Sequence, residues 1–235
     1  MGRSVLLMVG LLAVAGCTSV GEAQPGAVGQ AVASTGGHPP VVAFSPAVAR
    51  EFRRPMGRMF AARPVMTQSA YTARNVLVAG SPKAEADPEI VAAYLADRTF
   101  LTYSPQHGPQ IEYISRSGTT YLWYPGNTAV LRGSAAVLWE NASAEIDDPQ
   151  DGRYRGQIKL SYLCFRYAPN TFNPATNHRG GGYECSPYAT QRAAVKDSRK
   201  GDIFGLASRS EAPFPLGKDA TTLAALQKRV GPARP

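Results

Sequence analysis

The side chains with the most chemistry to offer in this chain are three cysteines, three histidines and one aspartate-rich run. Cys164 lies in the strand-like LSYLCFRY and Cys185 in GGYECSP, with His178 in the turn-rich stretch between them. A thiol beside an imidazole is a nucleophile with its base, and two thiols with an imidazole are three metal ligands. Neither arrangement has a recognisable spacing here. The reading favoured is a Cys164–Cys185 disulfide, which would close a loop of about twenty residues and stabilise by roughly 3 kcal/mol. Asp147, Asp148 and Asp151 in NASAEIDDPQDGRYR have the carboxylate density of a hard-cation loop, but they lack the ordered spacing and the closing glutamate of such loops. They read as a solvated turn. His38 in a linker and His107 at a turn have no partner that the sequence supplies. Nucleophile-elbow, zinc-protease, P-loop and dinucleotide-binding patterns are missing, and no cofactor or metal is expected.

Cys17 belongs to a different chemistry. Met1–Ser4 carries one positive charge, at Arg3, Val5–Val14 is an apolar run too short for a permanent span, and Val14-Ala15-Gly16-Cys17 follows. The tetrapeptide resembles the bacterial lipobox. That resemblance implies cleavage before Cys17, acylation of its thiol and a lipid bilayer as partner, since several buried acyl chains make a stable anchor. Thr18 replaces the aspartate that holds some lipoproteins at the inner membrane, so the expected location is the envelope, facing the periplasm, on the outer membrane rather than the inner. Export also places the remaining cysteines where disulfides persist. Residues 17–47, rich in Gly, Ala, Gln, Ser and Pro, read as a disordered tether after a signal peptide at 1–16.

The formal charge of +8 is unevenly placed. Residues 46–86 hold seven basic against two acidic side chains and 191–235 nine against four, whereas 98–190 is nearly neutral with eight against seven. Arg53, Arg54, Arg58 and Arg63, interleaved with Phe52, Met56, Met59 and Phe60, make residues 48–86 a basic arm that suits an anionic surface or packs on the domain. Pro55 and Pro64 argue against one long helix there. No nucleic acid partner is expected.

The elements that must position these groups lie between 87 and 190. Asp87 reads as the N-cap of a helix with Pro88 at its first position, Ile90, Tyr94 and Leu95 sharing one face. FLTYS, QIEYIS, TTYLWY, TAVLRG, AAVLWE and GQIKLSYLCFRY then read as strands of an antiparallel meander or partly closed barrel, separated by Pro, Gly and Asn turns. Alternation puts Tyr121 and Trp123 on one face of TTYLWY and Leu122 and Tyr124 on the other. Both faces are part apolar, which predicts a curved sheet covered on two sides. Tyr113, Tyr121, Trp123 and Tyr124 are the candidate contacts for a flat ligand or sugar, or else core.

LTYSPQHG, EYISRSGTTYLWYPGN and LCFRYAPNTFNP with YEC resemble a family of small exported proteobacterial proteins of uncharacterised function, over residues 99–187. The resemblance implies the same small β domain and brings no catalytic positions. GSAAVLWENASAEIDD departs from it, being longer than a tight strand and turn.

At the carboxyl end, Tyr188–Ser198 reads as a short helix, and Ile203, Phe204 and Leu206 as residues that dock on the sheet. Asp219 is expected to cap a final helix with Leu223, Leu226 and Val230 on one face, so that 191–235 forms a basic helical extension. The expected fold is mainly β within an α+β class, braced by a disulfide and flanked by short helices. The expected role is that of a non-enzymatic, membrane-anchored envelope lipoprotein binding a protein or cell-wall component. A small-molecule or glycan binder with an aromatic concave sheet is the alternative, and a hydrolase-type enzyme without a local motif the third.

Overall fold

The computed structural model describes residues 37–43, 87–148, 152–173 and 178–231. Cys17 and the arginines of the 48–86 arm lie outside the described residues, as does NVLVA at 75–79, whose composition reads as a short strand. The described chain is mainly β, with one curved antiparallel sheet forming a half-barrel and short helices laid against it.

The strands are β1 (Val41–Ala43), β2 (Arg98–Ser104), β3 (Gly108–Ile114), β4 (Thr119–Trp123), β5 (Leu131–Asp148), β6 (Gly152–Tyr167), β7 (Phe172–Asn173), β8 (His178–Arg179), β9 (Glu184–Pro187) and β10 (Val195–Lys200). Helix α1 covers Pro88–Leu95, α2 Tyr188–Ala194 and α3 Leu223–Val230. The sheet runs β10-β2-β3-β4-β5-β6-β9, with β1 parallel to β5 where β4 has ended, and β7 and β8 make a separate pair.

Several sequence expectations hold. Asp87 caps α1, its carboxylate accepting from the Glu89 and Ile90 amides, with Pro88 in the first turn. The β2–β3–β4 meander pairs in register, and its tight turn uses Gly118 at φ +80°. Cys164 and Cys185 stand directly opposite on β6 and β9 and are disulfide-bonded.

Other expectations are corrected. TAVLRG and AAVLWE are not two strands, because pairing begins at Leu131 and continues unbroken through the acidic run. The run read as a solvated turn is therefore the far half of a long hairpin, in which Glu145 is paired with Arg155 and Asp147 with Arg153 in register. The buried side of α1 is carried by Val91, Ala92 and Leu95, one step round from the face expected. The helix begun at Tyr188 stops at Ala194, since Val195–Lys200 finds the open edge of β2. Thr222, not Asp219, caps α3, accepting from the Ala225 amide. The end of the supposed tether is also ordered, for β1 docks on β5 and His38 Nε2 lies 3.1 Å from Glu89 Oε2.

Two apolar layers cover the sheet's two faces. On one, Leu101, Ile111, Tyr113 and Trp123 pack under Phe204, Leu206, Leu216, Leu223 and Leu226, so that 201–231 is part of the core and not an appendage. The neighbouring part of this face is filled by Ala136, Leu138, Leu160, Tyr162 and the disulfide, beneath Tyr183. On the opposite face α1 and α2 bring Val91, Leu95 and Tyr188 against Phe100, Ile114, Val137 and Leu163. Strand alternation produces this directly, because each of β2 to β6 carries apolar residues at both odd and even positions.

Candidate functional site

The face under α1 and α2 is not completely filled. A small cleft, open to solvent at its mouth, remains between the sheet and the two helices. Phe100, Ile114, Leu163 and Phe165 of the sheet form its floor, and Tyr94, Leu95, Tyr188 and Val195 its sides. Four polar residues reach it: Thr102, Glu112, Gln191 and Arg192. An apolar, concave space with a few convergent polar groups is the usual form of a small-ligand site.

Glu112 is the most unusual of these. It sits in the middle of β3, paired with Phe100 on one side and Leu122 on the other. Its Oε1 accepts hydrogen bonds from two hydroxyls, Thr120 on β4 and Tyr167 on β6. The residue retains some exposure because it lines the cleft, yet its carboxyl is deep enough for desolvation to dominate. Burial pushes it up to about 7, against the two hydroxyl donors, which pull it down. Tyr167 is held well above its ordinary value by burial and then by the neighbouring carboxyl, so it remains a donor.

Tyr167 reaches across two strands to do this, and a glycine permits it. Tyr167 is paired with Gly133 of β5, where a Cβ would lie 2.7 Å from the tyrosine ring and 2.5 Å from the Arg166 carbonyl oxygen. With no side chain at 133, the ring lies over β5 toward Thr120 and Glu112.

Arg192 projects from the last turn of α2. Its Nε is buried without a hydrogen-bond partner, and among the described residues no carboxylate forms an ion pair with it. Gln191 beside it donates to Ser186 Oγ. A positive group therefore meets the cleft from the helix side, and a carboxyl near its neutral point from the sheet side. That pairing suits holding a ligand. For proton transfer a carboxyl near 7 is well placed, but no second carboxylate and no serine, cysteine or histidine lines the same space. Among the described residues no cluster of three His, Cys, Asp or Glu side chains is arranged for a metal ion.

The candidate contacts read from sequence fall mostly elsewhere. Trp123 is fully buried on the opposite face, its Nε1 donating to the Phe214 carbonyl at 3.1 Å and its ring edge-on to Phe204 and Phe214. Tyr113 is buried beside it, donating to Asp97 Oδ1, and its phenol is pushed up to about 12 by burial and then by Asp97. Tyr121 stacks on Tyr113 at the margin of that core. Only Tyr124 shares the cleft's side of the sheet, near enough to Tyr167 to disfavour its ionisation. Glu112, Tyr167 and Arg192 were not singled out by sequence reasoning. The signals were a lone acid in a strand with two apolar faces and a glycine, Gly133, inside a strong strand pattern. His178 has its backbone in β8, paired with Asn173 of β7 and not part of the β6–β9 pairing that holds the two cysteines. Comparison of the chain with family models, with curated proteins and with solved structures finds no match to any of them.

Proposed function

We propose that this protein is an exported, lipid-anchored binding protein of the cell envelope that holds a small, largely apolar ligand in the cleft between its sheet and α1 and α2. The observation that carries the reading is the cleft itself: aromatic and branched walls, with Glu112 below and Arg192 above. The Met1–Cys17 pattern supports the anchor, and a buried disulfide suits an oxidising compartment. A protein partner on the terminal helix has less support, because Leu223 and Leu226 of α3 are spent on the domain's own core. Phe172 is the sole exposed large apolar side chain among the described residues.

The test is binding of the neutral fluorophore N-phenyl-1-naphthylamine to the full chain. Saturable binding at one site is expected, reduced at least about tenfold by Thr102→Phe, which fills the cleft, and unchanged by Tyr121→Phe on the other face. Equal affinity in Thr102→Phe, or no saturable binding, contradicts the reading.

A further inference from the structure

We infer that the ligand is a single-chain amphiphile with an anionic head, a carboxylate or a phosphate monoester, whose head is received by Arg192 and whose tail lies along Phe100, Leu163 and Phe165. This rests on the cleft being the binding site. It goes beyond that reading by fixing the ligand's charge and polarity.

Three observations converge. The first is the unmatched donor. Arg192 Nε is buried and has no hydrogen-bond partner among the described residues, a condition that costs free energy and that an incoming acceptor relieves. A guanidinium fork donates to two oxygens of one anion side by side, so carboxylate and phosphate are the groups it fits. The second is the segregation of the walls. Arg192 and Gln191 enter from one turn of α2, whereas the sheet side is mostly apolar, with Phe100, Ile114, Leu163 and Phe165 alongside Thr102 and Glu112. A ligand polar at one end and apolar along its length satisfies both. The third is the state of the competing acid. Glu112 faces the same space but has one oxygen committed to Thr120 and Tyr167, and no ion pair joins it to Arg192. Among the described residues the cation has no other anion to meet.

The experiment displaces N-phenyl-1-naphthylamine from the full chain with dodecanoate, dodecyl phosphate, dodecanol and dodecylamine, each below its micellar concentration. Dodecanoate or dodecyl phosphate should compete at least about tenfold more strongly than dodecanol, with dodecylamine weakest, as expected for a charge-assisted pair. The stronger of the two anions identifies the head, a fatty carboxylate or a lipid phosphate. Arg192→Met should remove the preference for the anions over dodecanol, and Arg192→Lys should keep part of it. Fluorophore binding with equal displacement by all four compounds would leave the cleft standing and overturn the anionic head. An unchanged preference in Arg192→Met would overturn the assignment to that residue. Absence of fluorophore binding would remove the cleft reading and this inference together.

Discussion

Replacing Glu112 with glutamine should make the protein more stable at neutral pH, and increasingly so as the pH rises. The carboxyl has an ordinary value of 4.5 and is raised to about 7 by burial in the fold. In the interval between those values the folded state keeps the proton that the unfolded chain has released, so the wild type loses stability as the pH climbs. The contribution is intact below about 4.5 and gone above about 7. At 1.36 kcal/mol per pH unit, the full span corresponds to a loss of up to about 3 kcal/mol. The substituted amide would keep an oxygen for Thr120 and Tyr167 but has no proton to lose. Urea unfolding of both proteins from pH 4 to 8.5 measures the difference, in which every other titrating group cancels. The difference in unfolding free energy should be flat at the acid end, shift in favour of the variant between about 4.5 and 7, and level off above. A difference constant to within about 1 kcal/mol across the range would refute the claim that this carboxyl is desolvated by the fold.

Gly133→Ala should cost about 1–3 kcal/mol through its clash with Arg166 and Tyr167. By displacing the tyrosine donor it should also raise the Glu112 midpoint further, as read from the carboxyl ¹³C shift; an unmoved midpoint would mean that Tyr167 does not act on Glu112. The Cys164→Ala, Cys185→Ala double variant should lose about 3 kcal/mol in urea unfolding, whereas indifference to reductant would show that the pair contributes no cross-link. Trp123→Phe should lose about 1–3 kcal/mol with the Phe214 hydrogen bond and some packing, yet bind the naphthylamine probe as the wild type does. Weaker binding in this variant at full folding would put the site on the wrong face. The intact mass of protein taken from the envelope should begin at Cys17 with diacylglycerol attached, and a mass retaining Met1 with an unmodified thiol would contradict the anchor.

Local rules carried the sequence reading a long way. Asp87-Pro88 marked the start of α1 because capping and proline geometry depend on adjacent residues alone. The meander around Ser117-Gly118 and the Cys164–Cys185 pairing were legible for the same reason, the signals lying in turns and strand alternation. What was missed is non-local. Val195–Lys200 has a helical neighbour and a mixed composition, and becomes a strand only because β2 offers an unpaired edge. The run through Asp148 is extended because its backbone pairs residue by residue with β6. Aromatic density drew attention to Trp123, whose size is used to fill the core under Phe204 and Phe214. The cleft instead gathers from four distant segments, with Glu112 of β3 and Arg192 of α2 lining it and Tyr167 reaching Glu112 from β6. No spacing along the chain encodes that meeting.

The most direct measurement of where a ligand sits is methyl NMR of the full chain titrated with dodecanoate. Saturable shifts should appear at Ile114, Leu163 and Val195, which line the cleft, while Leu223 and Leu226 on the far side of the sheet stay in place. Shifts confined to those two leucines, or the same small drift at all five, would contradict a binding site between the sheet and α1 and α2.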